Sequence, residues 1–550
     1  MSSNSKLEKA IYFLLKNKDK ALVDLNLIKR KIAKNFKIPL PSNVELLEEY
    51  HKLVKKKRLK RDLGLENILK KRRVRSVSGI VNISVLTKPY SCPGKCLYCP
   101  NQKGVPKSYL NDEPAVMRAI LNNFHPYFQV QTRMSSLMKT GHPLDKIELR
   151  IVGGTWSFYP KKYQFWFVAN CFRAANKFNF QKRVDRKIDK DYYSLLNFRF
   201  RDLEKEQKKN EKAKYRIVGL SIETRPDFIN PEEIKRLRKL GVTMVEIGVQ
   251  SIYDDVLKMN RRGHLVEATI QATKLLKDAG FKVLYQVMPN LMGSDIKKDI
   301  EMFKIIFSDS RFQPDLLKIY PCTILKEAPL YKFWQEKKYK PYSARQLINL
   351  LKDIKKEIPY YVRIQRVVRD IPAQNIVVGP GKISNLREIV IQEMKNEGLR
   401  CRCIRCREVR ENYNPKEKIY FYRQDYDASE GKEIFLSFEN KDRTKLYSIL
   451  RLRIPSHLLN KKEKSLFSSL KDAAIIREVH TYGPTVPLGK KQKATQHRGL
   501  GKKLIKKAEE IVKKEFKIKK VAIISGVGVR DYYRKLGYRL KDTYMVKIIK

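Results

Sequence analysis

The chain has 550 residues, 42% of them hydrophobic and 10% aromatic, so it is too long for one core and has enough apolar material for several. Its 118 Lys and Arg against 58 Asp and Glu give a formal net charge of +60, which points to a polyanionic partner, with phosphate backbones the usual one and a generally lysine-rich surface the alternative. No apolar run reaches the about 18 residues of a transmembrane helix, and charges flank the short apolar stretch of "MSSNSKLEKAIYFLLKNKDK", so no membrane association and a cytoplasmic location are expected.

Residues 1–75 read as a basic helical region. "LEKAIYFLLK" and "LVDLNLIKRKIAK" place apolar residues near helical spacing. The runs "KKKRLKR" (55–61) and "KKRRVR" (70–75) follow, and the segment holds 22 Lys or Arg against 8 Asp or Glu. A single charge run is ordinarily a solvated helix face. Two within 21 residues, leading into a cysteine cluster, read as a nucleic-acid-binding arm.

Residues 76–400 repeat a strand and then a helical segment. The strands are "IVNISVLT" (80–87), "KIELRIVGG" (146–154), "YRIVGLSIETR" (215–225), "VTMVEIGVQS" (242–251), "KVLYQVMPN" (282–290) and "DLLKIYP" (315–321). Runs without polar alternation suit a parallel sheet covered on both faces, and the order argues βαβ units. The expected fold class is α/β, a partial six-unit (β/α) barrel with its active groups at the C-terminal ends of the strands. Segment 181–214 is a charged helical insertion, and 345–400 a return segment packed on the barrel.

"SCPGKCLYCPN" follows the first strand and places Cys92, Cys96 and Cys99 at C-x3-C-x2-C spacing. Three thiols on one loop suit three irons of a 4Fe–4S cluster with the fourth iron open; a zinc site closed by a distant histidine is the alternative. Residues 401–425 form a second cysteine stretch, "RCRCIRCRE", with Cys401, Cys403 and Cys406. Zinc is expected there, with Cys322 or a histidine as fourth ligand and a second iron–sulfur cluster as the rival.

Residues 426–550 read as a separate α/β domain: "KEIFLSFEN" and "KLYSILRLRI" as antiparallel strands, "AAIIREVHTYG" as a third, then a helix over 501–516, "KVAIISG" and a short helix at "VRDYYRKLGY". The turn "QHRGLG" (Gln496, His497, Arg498, Gly499, Leu500, Gly501) sits at a helix N-terminus, where backbone N–H groups can cradle a pyrophosphate. Glu478 and His480 alternate along "REVHTYG" and so share one face, where either could activate a nucleophile or form a cross-strand polar pair.

The cysteine loop and the strand pattern resemble the radical S-adenosylmethionine superfamily. The resemblance implies a 4Fe–4S cluster that binds S-adenosylmethionine and cleaves it to a 5′-deoxyadenosyl radical. It implies that Gly153, Gly154 and Thr155, standing where the family has a GGE-like turn, contact the methionine amine, with threonine in place of the acid. Glu223 and Gln250 end the third and fourth strands on the same face, for the cofactor or the substrate. The C-terminal motifs resemble GNAT acetyltransferases, which implies acetyl-CoA at "QHRGLG" and a catalytic tyrosine, Tyr533 by motif position, with Tyr532 adjacent.

The pairing of the two domains resembles the Elongator-type tRNA uridine 5-carboxymethyltransferases. It implies acetyl-CoA as co-substrate, the anticodon stem-loop of tRNA as partner, an electron donor for the cluster, and a stand-alone or homo-oligomeric enzyme. A protein lysine acetyltransferase with a non-catalytic barrel and a tRNA-binding scaffold with structural metals are the competing readings.

Overall fold

A computed structural model of the chain describes residues 3–71, 76, 78–180, 195, 198–383, 385–410, 414, 416–460, 462–483 and 499–549. Residues 181–194, 196 and 197 of the charged insertion, Arg72–Arg75 of the second basic run, and Gln496, His497 and Arg498 of the glycine-bearing turn lie outside the described residues, while the insertion's Arg201–Asn210 form a helix.

The N-terminal helices span Ser3–Lys16, Lys18–Val23, Leu25–Phe36, Asn43–Lys55 and Leu63–Leu69. Three of their starts are capped by side chains: Asp24 accepts from the Leu27 N–H, Ser42 and Glu45 form a reciprocal capping box, and Asp62 accepts from the Gly64 and Leu65 N–H groups. Their apolar faces close a core of their own around Ile11, Ile32, Leu47, Tyr50 and Leu65. His142 joins this unit to the barrel, one ring nitrogen 3.0 Å from the Ser76 hydroxyl and the other 3.0 Å from the Lys71 carbonyl.

The barrel domain is a curled parallel sheet of seven strands in chain order: β1 (Val81–Leu86), β2 (Lys146–Val152), β3 (Arg216–Thr224), β4 (Met244–Gln250), β5 (Lys282–Val287), β6 (Leu316–Ile319) and β7 (Arg363–Val367). The first six match the expected runs. The seventh lies in the stretch read as a return segment, because the charges of "VRIQRVV" mask a strand whose Arg363 is paired to Glu408 (2.8 Å). The outer face of the sheet packs on helices, as parallel strands require. The inner face is charged: Glu148 and Arg150 on β2, Glu223 on β3, Glu246 on β4 and Lys318 on β6.

The C-terminal sheet also has seven strands: β8 (Tyr420–Ala428), β9 (Gly431–Glu439), β10 (Leu446–Ile454), β11 (Ala474–Thr481), β12 (Lys520–Ile523), β13 (Arg539–Lys541) and β14 (Tyr544–Ile548), ordered β8-β9-β10-β11-β12-β14-β13. β8 begins inside the stretch expected as cysteine linker, and the β13–β14 hairpin was not expected. β8 to β11 are antiparallel. β11 and β12 pair in parallel only from Ala474 to Ile476 and then part. Helix Leu500–Lys514 packs on one face; the other face meets the barrel.

That junction lies at the N-terminal ends of the barrel strands and is ionic. Arg477 holds Asp315 (2.7 Å) and Glu433 (3.1 Å), Arg451 holds Glu478 (2.9 Å), and Arg453 holds Asp278 (2.7 Å). All three arginines are fully buried, and losing one member would strand a buried charge. The turn after β12 touches the β3 backbone so closely that a Cβ on Gly526 would stand 2.0 Å from the Val218 carbonyl oxygen.

Candidate functional site

β1 ends at Leu86, and the chain turns at the C-terminal mouth of the barrel into Ser91–Asn101. Cys96 is buried, and Cys92 and Cys99 are half-buried. Gly94 runs between two of the thiols: a Cβ there would stand 3.5 Å from the Cys96 sulfur, 3.7 Å from that of Cys92 and only 2.6 Å from Arg225 Nη1. Cations surround the loop. Arg262 Nη1 donates to the Cys96 sulfur (3.6 Å), and Lys107 Nζ donates to the Gly94 carbonyl (2.7 Å). Arg225 is fixed by Asp227 through Nε (2.9 Å) and Nη2 (2.8 Å), which leaves its buried Nη1 without a partner.

These charges set the state of the thiols. Burial pushes Cys96 up, but the Arg262 guanidinium, its hydrogen bond and Arg225 bring it below the ordinary thiol value. Burial and neighbouring Cys96 push Cys99 up to about 12, so it ionises only against a close cation such as iron. Three thiols on one loop, two of them flanking Gly94, with the Arg262 guanidinium and the unbonded Nη1 of Arg225 beside them, fit a 4Fe–4S cluster, which with three thiolates is an anion. A cavity of about 550 Å³ lined by Cys96, Cys99, Lys95, Arg261, Lys326 and Tyr331 reaches this loop from outside.

The other expected residues of the mouth take distinct places. Gly153 has φ +142°, and a Cβ there would fall 2.0 Å from the Thr87 hydroxyl, so the position needs glycine. Thr155, where the family has the acid, sets its hydroxyl 3.7 Å from the Cys92 sulfur. Glu223 is not a free strand-end carboxylate: it accepts from Lys318 (2.9 Å), Gln286 (3.2 Å) and the Tyr109 hydroxyl (3.1 Å). Burial pushes its carboxyl up, but Lys318 outweighs that and holds it below the usual range. Lys318 also contacts Glu246. Gln250 ends β4 at φ +69°, with a buried side-chain oxygen that has no partner. Of these groups, Thr155 touches the thiol loop, while Glu223 belongs to the charged lumen below it. Sequence reasoning missed Arg225, Arg262 and Lys318. Arg225 stands inside "IETRPD" and Lys318 inside "DLLKIYP", but arginine and lysine carry no signal in a chain this basic.

At the second cysteine stretch the sulfurs of Cys401, Cys403 and Cys406 lie within 4.8 Å of one another, a set that could hold a metal ion. Lys355 Nζ is 3.9 Å from the Cys406 sulfur. Hydrogen bonds from the Cys401 and Cys406 thiols hold Cys403 well below the ordinary thiol value. Cys322 is not the fourth ligand: it is buried among Leu97, Val256, Ile324 and Tyr339. Among the described residues no histidine joins the three thiols.

In the C-terminal domain Gly499 takes φ +69° just before helix Leu500–Lys514. A Cβ on Gly501 would meet the Tyr532 hydroxyl at 3.5 Å, Thr481 Oγ1 at 3.6 Å and Val479 at 3.7 Å. Tyr532, half exposed, therefore faces the gap between β11 and the helix. Tyr533, the tyrosine singled out by motif position, is buried in the core against Tyr538.

Glu478 and His480 do share a face, but it is the barrel face. Glu478 accepts from Arg451 (2.9 Å) and Lys282 (3.3 Å), and His480 Nε2 meets the Ser78 carbonyl (2.9 Å). The cause is the register shift opposite Arg451 and Leu452, which skips Arg477 and turns the rest of β11 over. Neither side chain faces the gap.

Residues 86–303 match the family described as the Radical SAM superfamily, and residues 314–396 the Radical_SAM C-terminal domain. The tRNA uridine(34) acetyltransferase of Methanocaldococcus infernus is 44% identical over 92% of this chain and 91% of its own. Elongator complex protein 3 of Homo sapiens is 35% identical over 96% of this chain and 94% of its own. The solved structure of the archaeal Methanocaldococcus infernus Elp3 with N-terminus deletion (1-46) superposes with a TM-score of 0.71 at 41% identity, covering 86% of this chain and 100% of that one.

Proposed function

The chain belongs to the family of the tRNA uridine(34) acetyltransferases and Elongator complex protein 3, and from that membership we propose that it is a radical S-adenosylmethionine enzyme that converts the wobble uridine of tRNA to its 5-carboxymethyl derivative with acetyl-CoA as carbon donor. The observation that carries the reading is the thiol loop at the barrel mouth: Cys92 and Cys96 flank Gly94, Cys99 follows on the same loop, and Arg225 and Arg262 stand beside it. When bound there, the cluster and S-adenosylmethionine supply a carbon radical that abstracts hydrogen. The chain's own groups do the rest. Arg262 and Lys107 fix the loop. Thr155 abuts Cys92. The unpartnered Gln250 oxygen accepts from a ligand N–H or O–H at the mouth.

At the other site, the backbone N–H groups that open helix Leu500–Lys514 suit a pyrophosphate, and the Tyr532 hydroxyl is the group placed to give a proton to a departing thiolate. The three thiols at 401–406 suit zinc.

The N-terminal helices and the overall charge suit phosphate contacts that weaken with salt. An external electron donor is required, because no residue of the loop supplies electrons. The test is an anaerobic reaction of reconstituted protein with dithionite, S-adenosylmethionine, methyl-labelled acetyl-CoA and tRNA, followed by nucleoside mass spectrometry. Label in 5-carboxymethyluridine that disappears with Cys96→Ala supports the reading. Label only in free acetate or on protein lysines, with tRNA unmodified, overturns it in favour of an acetyltransferase with a non-catalytic barrel.

A further inference from the structure

Two large aromatic rings are partly exposed to solvent beside the thiol loop. Tyr90, two residues before Cys92, and Phe158, three after Thr155, are each 37% exposed, and their centroids are 5.9 Å apart. They are the outer end of an aromatic column. Tyr90 stacks on Tyr159 (4.9 Å, 28°), Tyr159 stacks on Tyr163 (5.3 Å, 22°), and Tyr163 packs against Trp166 in the core. Phe158 is braced edge-on by Phe228 (6.0 Å).

The column is held by its hydroxyls. Tyr159 donates to the Lys88 carbonyl (2.8 Å) and meets the Thr87 hydroxyl (2.8 Å), while Tyr163 accepts from the Lys88 N–H (3.0 Å). Lys88 is thus clamped at both backbone groups, Pro89 stiffens the next bond, and Tyr90 is presented with little freedom left to lose. Exposed Lys88, Lys95 and Lys161 lie on the same segments.

Single exposed apolar residues need no explanation. A stacked column that opens toward solvent at the mouth of a reaction site, with the Lys88 ammonium 5.2 Å from the Tyr163 centroid on its flank, is an unfinished stack, and a planar group with negative charge nearby suits its open end. We infer that Tyr90 and Phe158 form a stacking platform for an unpaired nucleobase next to the one modified, holding the splayed loop while its neighbour enters the barrel mouth. Unpaired bases stack on aromatic side chains without regard to sequence, so the platform positions rather than selects. This inference rests on the tRNA reading above.

The probe is an anticodon stem-loop RNA carrying fluorescent 2-aminopurine beside the wobble uridine, titrated into the full-length, cluster-reconstituted protein, with a fully paired duplex of equal length as control. Wild type should bind the stem-loop more tightly than the duplex and quench the fluorophore. Tyr90→Ala and Phe158→Ala should each weaken stem-loop binding about 5- to 100-fold and relieve the quenching, leaving duplex binding and iron content unchanged. Tyr90→Trp should restore both. Wild-type affinity and quenching in both alanine variants would overturn the platform while leaving the tRNA reading standing. Equal wild-type affinity for stem-loop and duplex would overturn both.

Discussion

Replacing Gly94 by alanine tests the thiol cradle at its tightest point. The added methyl would lie 2.6 Å from Arg225 Nη1 and in van der Waals range of the Cys92 and Cys96 sulfurs. The guanidinium cannot simply retreat, because Asp227 grips it at 2.9 and 2.8 Å and Gly263 lies behind it, so close that a Cβ there would stand 3.1 Å from Nη2. Overpacking of this kind costs about 1–3 kcal/mol, and here the cost falls on the loop rather than on a core. Gly94→Ala should therefore retain the cluster about ten- to a hundredfold less well against a chelator, and hold fewer than about four irons per chain after anaerobic reconstitution. The denaturant midpoint of the protein without cluster should move little. Adding Arg225→Ala should relieve the clash, so that the double variant holds iron better than the additive expectation. A full iron complement with unchanged chelator resistance in Gly94→Ala would refute the argument that the loop admits a cluster because nothing projects from residue 94.

Asp315→Asn should cost about 3–5 kcal/mol in urea unfolding near neutral pH, because Arg477 and Arg451 lose their buried counter-charge. Burial pushes the Asp315 carboxyl up, but Arg477, Lys277 and Arg451 outweigh it and hold it below the usual range. Its stabilisation is therefore complete above the ordinary carboxyl value of about 4 and is lost as pH falls through the lower folded value. Wild type should show the steeper loss of stability below about pH 4, and parallel pH curves for the two proteins would count against this. Cys403→Ser should remove about one equivalent of zinc by elemental analysis while iron at the Cys92 loop stays constant; unchanged zinc would place the ion elsewhere. Tyr532→Phe should slow acetyl-CoA hydrolysis about 10²- to 10⁴-fold. Tyr533→Phe, a core position, should leave hydrolysis within a few-fold, and equal losses in the two would remove the distinction drawn from their burial.

The sequence carried the barrel because its strands obey a simple rule. Covered on both faces, they read as predominantly apolar runs with a few inward charges, and "VTMVEIGVQS" is buried at every position of β4. The rule fails where charge enters the sheet. β7 has Arg363 and Arg366 among its five residues and was passed over, although its partners lie within the fold. β8 alternates half-buried with exposed side chains and was taken for linker. The thiol loop was legible because three cysteines in eight residues have no packing explanation. The cations that tune it were not, since 118 Lys and Arg give any one of them little weight. Glu478 and His480 show another limit: their shared face follows from alternation, but a single bulge at Arg477 decides which face, and sequence alternation cannot see a bulge.

The thiol loop and the junction with the C-terminal domain stand at opposite ends of the barrel. Cys92, Thr155, Arg225 and Gln250 follow the C-terminal ends of their strands, whereas Ser78, Lys282, Asp315 and Arg363, which meet the C-terminal domain, precede or open theirs. The seven residues of β4 set the two ends of the sheet about 23 Å apart at about 3.3 Å per residue. The lumen between is not empty: Glu148 and Arg150 fill its lower part, and Glu223, Lys318 and Glu246 its upper part. A straight hand-over of an acetyl group through the barrel would have to break these pairs, and each pair broken leaves a buried charge uncompensated. The ionic junction, with Arg477, Arg451 and Arg453 sealed against water, also opposes a swing of one domain toward the mouth of the other.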